Sequence, residues 1–304
     1  VTNTNILKKI KVQRTLLLMV LPGVLWMIIF NYLPMYGIII AFKEFKIYQS
    51  MFEAPWVGFY HFIEFFKDED FFLVMKNTLG MSFLKLLIGF PLPIAFAVLL
   101  NELKLSRFKK NIQTISYLPH FLSWVVLGGI MITWTSEAGL VNEVLLGIGI
   151  IQKPIAFLGD PKYFWGIAIA SDIWKEIGWN AIIYLAAIAA IDVSMYEAAV
   201  IDGANRFQKI KYITLPSIAP TIAMLFILAV SGVLNSNFDQ VFVLNNPLNS
   251  NASEVLDLYV YRTGIRAARY SYATAIGLFK SVVAFALLFT ANKVTRRLTG
   301  NSLF

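Results

Sequence analysis

Long apolar stretches separated by short polar islands dominate this chain. Six of them, over 16–41, 78–100, 112–135, 164–191, 218–244 and 272–294, reach the roughly 20 residues that carry a helix across a hydrocarbon core of about 30 Å. The fourth and fifth are interrupted by polar residues. The first follows Lys8, Lys9, Lys11 and Arg14, as the core of a signal peptide would. Its apolar run continues through Asn31-Tyr32-Leu33-Pro34 to Ala41 without a small-residue cleavage site, which predicts an uncleaved anchor. Residues 43–77 predict a surface helix or two. The run 144–151 is too short to span and predicts a re-entrant or interfacial helix. Asn245-Asn246-Pro247 predicts a turn. No internal repeat or low-complexity tract interrupts the pattern, so residues 1–304 read as one all-α integral membrane domain of six transmembrane helices.

Composition agrees with that reading. Apolar residues make up 58% and charged residues 14%, against roughly 45–50% and about 25% in soluble domains. An excess of this size cannot be buried in one water-soluble core and must face lipid. The chain has no cysteine and two histidines, His61 and His120, which excludes disulfides, thiol catalysis, thiolate metal sites and a His-rich metal site.

The net charge of +8 acquires meaning from its distribution. With the N-terminus inside, the cytoplasmic pieces are 1–15, 101–111, 192–217 and 295–304, with Lys293 at the last boundary. They carry 14 Lys and Arg against four acids, and the opposite side carries 9 against eleven. Lys/Arg bias sets orientation, so N-in and C-in is expected, with 192–217 in the cytoplasm. No basic stripe with interleaved aromatics lies on a soluble segment, and nucleic acid is not an expected partner.

The 192–217 island has a local grammar. Ser194-Met195-Tyr196-Glu197 fits a capping box, with Ser194 capping and Glu197 reaching back. A short helix is expected to run to about Asp202, and Gly203 to end it, since glycine reaches positive φ cheaply. A second helix follows from about Asn205, carrying Arg206, Lys209 and Lys211, and Pro216 stands at the start of the next span. Each residue alone is an ordinary cap or turn. Together, Glu-Ala-Ala, three residues, Gly, nine residues and Ile-x-Leu-Pro make a specific spacing, and small Ala198 and Ala199 suit a helix that seats in a partner's groove.

These fixed points (Glu197, Ala198, Ala199, Gly203, Ile213, Leu215 and Pro216, with Asp202 and Ala204 between them) resemble the EAA loop of binding-protein-dependent ABC importer permeases. The likeness to the carbohydrate-uptake group extends through Tyr117-Leu118-Pro119 and the stretch from Asn237-Phe238-Asp239-Gln240 to Leu244. Leu21-Pro22-Gly23 and Tyr32-Leu33-Pro34-Met35-Tyr36-Gly37 look most like permeases for oligosaccharides and polysaccharide fragments, alginate importers among them. The resemblance implies a type I permease fold in a bacterial cytoplasmic (inner) membrane, surrounded by lipid. It also implies a second homologous permease, two ATPase subunits that bind ATP and Mg, an extracytoplasmic solute-binding protein and a sugar substrate. The chain itself would then hold no cofactor or metal and catalyse nothing. Sugar permeases often carry Gly-Gly-Pro where this chain has Asn245-Asn246-Pro247, which leaves the geometry of that loop open.

Ionisable groups inside spans are costly and tend to face a cavity or a partner. Here they are Lys85, Asp172, Lys175, Glu176, Asp239 and Lys280. Asp172 and Glu176 share a helix face at i,i+4, either toward a cavity or as members of an intrahelical ion pair. A sugar path needs aromatic platforms beside amides and carboxylates. The fourth span offers Trp174, Glu176, Trp179 and Asn180, with Gly178 to admit a ligand to the backbone. The fifth offers Asn235, Asn237, Asp239 and Gln240, and the third His120 and Trp124. In maltose-type permeases the corresponding stretches line the sugar site, although one subunit of a pair can hold the sugar alone, and His120 equally suits an interhelical hydrogen bond. Lys85 and Lys280 read as snorkelling or structurally paired groups.

Two rival readings remain at this level. An ion-coupled secondary transporter would use Asp172, Glu176 and Asp239 as proton or sodium ligands, but leaves the capped cytoplasmic helix pair unexplained. A polytopic membrane glycosyltransferase needs a carboxylate or metal constellation that the outer loops do not offer. No Gly-x-x-x-x-Gly-Lys-Ser/Thr occurs, so the chain supplies no P-loop ATPase.

Overall fold

The computed structural model describes residues 12–300 and 303. Among them the protein is helical throughout, and its single strand-like feature is an isolated bridge between Lys43 and Trp56. Lys8, Lys9 and Lys11, ahead of the first span, lie outside the described residues. In chain order the helices used below are α1 (Arg14–Phe42), α2 (Tyr60–Lys67), α3 (Phe71–Asn101), α4 (Ser106–Tyr117), α5 (Trp124–Trp134) and α6 (Leu140–Gly147). They continue with α7 (Pro161–Ala189), α8 (Val193–Ile201), α9 (Arg206–Ser231), α10 (Phe238–Leu244), α11 (Ser250–Ser253), α12 (Leu256–Tyr261) and α13 (Tyr270–Thr299).

Four of these, α1, α3, α9 and α13, are long and apolar enough to cross a membrane. Two bent pairs raise the number to six: α4 with α5, kinked by 98°, and α7 with α8, kinked by 70°. Asp172, Lys175 and Glu176 dilute α7, which meets the apolar criterion only together with α8.

The prolines explain why the long helices survive. A proline inside a helix removes an N–H and crowds the carbonyl four residues back. Three π turns, Ile28–Tyr32, Lys85–Gly89 and Ile210–Thr214, each end two residues before Pro34, Pro91 and Pro216. Widening the turn ahead of each proline relieves the crowding, so the helix bends without breaking. The helix expected from Asn205 therefore runs unbroken into the fifth span. The polar island ends as a loop at Asn205, not at 217.

Two expected spans are broken. The third, over 112–135, is two helices, because Leu122 and Ser123 are extended after Pro119 and Ser123 starts a new helix by accepting from the Val126 N–H at 3.3 Å. Each piece, at about 1.5 Å per residue, is too short to span alone. The fifth, over 218–244, stops at Ser231 before Gly232. Asn237 then caps the separate α10 by accepting from the Gln240 N–H. The second span opens at Phe71 rather than 78, and the interfacial helix is Leu140–Gly147 rather than 144–151.

The chain divides into two compact units. One takes the chain up to Phe66 together with Thr263–Leu278. In it the apolar window of α1 has none of its residues buried, so lipid or another chain must cover it. Beyond α1, Phe42 stacks on Trp56 at 5.7 Å and meets Phe59 and Phe62, each at 5.5 Å. Lys43 Nζ donates to the carbonyls of Met51 and Phe52, each at 3.0 Å, and closes the loop between them.

The second unit takes Lys67–Arg262 and Phe279 onward, and α7 is its axis. Ala97 and Val98 of α3 pack with Ala181, Tyr184 and Ile188 of α7 and Ile218 of α9. A second core joins Met81, Phe164, Ala168, Val241, Leu244 and Leu258. Small residues allow the close approaches: a Cβ on Gly128 would lie 2.4 Å from Val243 Cγ1. Asn246 Oδ1 accepts from the N–H groups of Leu248 and Asn249, which forms the expected turn at Pro247.

Candidate substrate path and coupling loop

The break between α4 and α5 is tied to the middle of α7. Lys175 is buried, and its Nζ donates to the His120 carbonyl at 2.5 Å, lies 3.3 Å from Glu176 Oε1 and sits 5.7 Å from the Trp124 ring. The other Glu176 oxygen meets His120 Nδ1 at 2.7 Å. The His120 ring stacks on Trp179 at 4.1 Å, and Phe121 meets Trp179 edge-on at 5.7 Å. A carbonyl freed where a helix breaks is costly in an apolar setting, and here a buried ammonium satisfies it while the ammonium finds its own counter-charge.

One turn away on the same helix, Asp172 Oδ1 lies 3.4 Å from Lys85 Nζ and accepts from Asn237 Nδ2 at 3.1 Å. Lys85 also donates to Gln240 Oε1 at 3.1 Å. These pairs face a cavity of about 240 Å³ with Ser82, Lys85, Asp172, Glu176, Asn180 and Asn235 in its walls beside Phe90 and Pro93. With buried Lys175 counted beside Lys85, two lysines and two carboxylates leave this region close to charge balance, and the cavity lining mixes these polar groups with apolar side chains.

Of the expected path residues, Glu176, Asn180 and Asn235 line this cavity, and His120, Trp179 and Asn237 hold its walls through the contacts above. Others fall elsewhere. Trp174 lines a separate apolar pocket of about 430 Å³ with Met131, Trp134 and Phe157. Trp124 is buried under Lys175. Gln240 is fully buried, donating to the Ala168 carbonyl at 2.6 Å and to Ser171 Oγ at 2.9 Å. Asp239 is exposed on the first turn of α10. Gly178 does not open the backbone to a ligand: a Cβ there would fall 2.2 Å from the Ser116 carbonyl oxygen, so it seats α4 against α7. Lys85, read as a structural pair, is paired but also lines the cavity. A lysine in an otherwise apolar run was the signal for it.

The polar island folds as the short helix α8, a turn at Gly203 and the start of α9. Asp192, not Ser194, caps α8: its Oδ1 accepts from the Ser194 N–H at 2.9 Å, and no side chain reaches back from Glu197. That backbone hydrogen bond, joined by the Ser194 side chain, holds the Asp192 carboxyl below its ordinary range. Gly203 has φ +76°, and the N–H groups of Asp202, Gly203 and Ala204 close onto the carbonyls of Ala198, Val200 and Ala199. The capping box lies one helix later, where Asn205 and Gln208 exchange side-chain and backbone hydrogen bonds at 2.7 and 3.0 Å. Tyr196 Oη meets Thr214 Oγ1 at 2.9 Å and pins α8 to α9. Glu197, Ala198, Asp202, Gly203, Leu215 and Pro216 are exposed, and Ala199, Ala204 and Ile213 are half-buried. Ile201 and Phe207 stand 86% and 84% exposed, more apolar surface than a free loop ordinarily presents.

A family model described as "Binding-protein-dependent transport system inner membrane component" matches residues 89–300. The chain is 42% identical over 296 residues to Protein LplB of Bacillus subtilis (strain 168), covering 97% of this chain and 92% of LplB. It is 41% identical over 293 residues to the polygalacturonan/rhamnogalacturonan transport system permease protein YteP of the same bacterium, covering 96% and 91%. Among solved structures, a chain of a bacterial ABC transporter involved in the import of the acidic polysaccharide alginate is similar at TM-score 0.89 and 42% identity, covering 97% of this chain and 99% of that one. Neither an ion-coupled carrier nor a membrane glycosyltransferase fits likeness of this extent. The chain belongs to the binding-protein-dependent transport system inner membrane component family, as a multi-pass permease of the type I fold and not an enzyme.

Proposed function

We propose that this permease imports oligosaccharides, fragments of acidic polysaccharides foremost, by alternating access driven from separate ATPase subunits. The observation that carries the reading is the cavity lined by Lys85, Asp172, Glu176 and Asn180, whose Glu176 is held by the stacked pair His120 and Trp179. Hydroxyl-rich chains need donors and acceptors beside an aromatic or apolar face, and the lining sets Lys85, Asp172, Glu176 and Asn180 beside Phe90. The names of two relatives point the same way: YteP is called a polygalacturonan/rhamnogalacturonan permease, and a neighbour structure holds an alginate importer with an alginate pentasaccharide-bound periplasmic protein.

The partners follow from the same reading. A second homologous permease completes the cavity, a solute-binding protein delivers the sugar from outside, and two ATPase subunits bind ATP and Mg on the cytoplasmic side. The whole chain acts as one membrane domain with both ends inside, an orientation supported by the Lys/Arg bias. Glu197, Ala198, Ala199, Asp202, Gly203, Ala204, Ile213, Leu215 and Pro216 form the coupling knob. Its exposed Ile201 and Phe207 favour burial in an ATPase groove, and its pinning to α9 through Tyr196 and Thr214 favours rigid transmission. The complex, reconstituted in nanodiscs with its binding protein, is expected to hydrolyse ATP faster when that protein carries an oligouronide. Equal rates with loaded and empty binding protein, for every oligosaccharide offered, would refute the proposal.

A further inference from the structure

We propose a second saccharide-binding site, in the unit that contains α2 and the start of α13, lined by Phe45, Tyr60, His61, Glu64, Arg269 and Tyr272. It rests on the oligosaccharide reading above and lies on segments that the charge bias assigns to the outer face. The site is a pocket of about 480 Å³, within the range that small ligands occupy.

Its polar groups are arranged for a hydrogen-bonding ligand. His61 is 7% exposed and Nε2 lies 3.2 Å from the Lys43 carbonyl, which only accepts, so Nε2 carries a proton and Nδ1 is turned toward Glu64. Nδ1 faces Glu64 Oε2 at 3.6 Å, and neither atom has a hydrogen-bond partner among the described residues. The other Glu64 oxygen is taken by Arg269 at 2.6 Å. Two buried polar atoms left without a hydrogen bond are costly unless a ligand's polar groups meet them. Adjacent sugar hydroxyls, which both donate and accept, can meet the two atoms together. Tyr60, 58% exposed at the pocket, offers an apolar face to the ring. A basic side chain could also donate, but it would meet Arg269 and Lys46 on the same walls.

The backbone supports a built site. Ala268, beside Arg269, has φ +55°, the one positive φ outside glycine among the described residues. Strain of this kind persists where surrounding contacts enforce it, and here Arg269 is held by Glu64 and over the Tyr272 ring at 4.2 Å.

Glu64→Gln tests the site without unfolding it, because the amide keeps an oxygen for Arg269 and presents an NH2 to His61 Nδ1. The two side chains then satisfy each other and no longer need a ligand. The full importer in nanodiscs, without binding protein, would be probed by saturation-transfer NMR with pentagalacturonate, alginate pentasaccharide and maltopentaose. Transfer to at least one sugar is expected in the native protein, with about tenfold weaker binding in Glu64→Gln and in Tyr60→Ala, which truncates a ring that is 58% exposed. Import should lose the same factor in KM with kcat retained. Transfer unchanged by both variants overturns the site. So does a loss of docking by both variants that is equal for loaded and empty binding protein, since the pocket would then hold protein. Failure of every loaded binding protein to stimulate the native ATPase would strike the import reading instead, and is scored separately from the NMR.

Discussion

His120 lies flat on Trp179, ring centroids 4.1 Å apart and planes within 2°, while its Nδ1 meets Glu176 Oε2 at 2.7 Å. One residue on the broken third span is thus held through its face and its edge by two residues of α7. Its carbonyl is held by a third, Lys175. The break and the polar middle of α7 form a single structure, so the wall of the cavity cannot move without carrying the helix break with it.

Replacing Trp179 by Ala is expected to slow sugar import while the protein still inserts and assembles. The stack contributes about 1 kcal/mol beyond simple burial, too little for the fold to depend on it. Uptake by proteoliposomes, beside a thermal melt in detergent, separates the two effects. Import at the native rate would remove Trp179 from the path.

Gly178→Ala should be far more damaging to stability than an exchange of this size in a surface helix. The new methyl falls 2.2 Å from the Ser116 carbonyl oxygen and 2.5 Å from its carbon, and backbone atoms cannot step aside. Overpacking of this kind costs about 1–3 kcal/mol. A drop in melting temperature is the readout, and an unchanged melt would show that α4 and α7 do not pack as described.

At Gly203 the sign is set by backbone and not by space, since a Cβ there meets nothing within 4 Å. With φ at +76°, alanine must enter the left-handed region at about 1–2 kcal/mol, and proline cannot adopt that φ at all. Gly203→Ala is expected to weaken coupling between ATP hydrolysis and transport, and Gly203→Pro to abolish it, with insertion intact in both. Full uptake by Gly203→Pro with its ATPases present would end the assignment of this loop to coupling.

The Asp192 cap makes a pH prediction. Its carboxyl is depressed in the folded state, so its contribution is present above the ordinary value of 3.8 and is lost as pH falls through the lower folded value. Protease nicking of α8 should therefore rise in acid in the native protein, and Asp192→Asn, which still caps but does not titrate, should flatten that dependence. Ser194→Ala should keep the cap, because the Ser194 backbone N–H makes it, and lose only the side-chain share of the Asp192 shift. Strong fraying in Ser194→Ala would restore the capping box first expected there.

Much of this protein was legible in its residue pattern because the signals are local. The apolar runs located all four helices that cross by length and composition, and glycine at 203 announced a positive φ. The capping of α8 was misread by two residues, since Asp192 and Ser194 both satisfy the local rule and only backbone geometry chooses between them. Gln240 and Gly178 were read as ligand-facing although both serve packing. A residue type states what a side chain can do, and the neighbouring helix decides whether anything is left for it to do.

By itself the sequence determined a helical membrane protein, its polar loop and its family, since apolar length and motif spacing are properties of contiguous residues. Only the tertiary structure decided that the third span is broken and that α10 is separate from α9. Only it paired Lys85 with Asp172 and Gln240, and His120 with Glu176, across 56 to 155 residues of chain. Burying charge in an apolar setting is tolerable only with a partner at hand, and which distant segment brings that partner is settled by packing, not by periodicity.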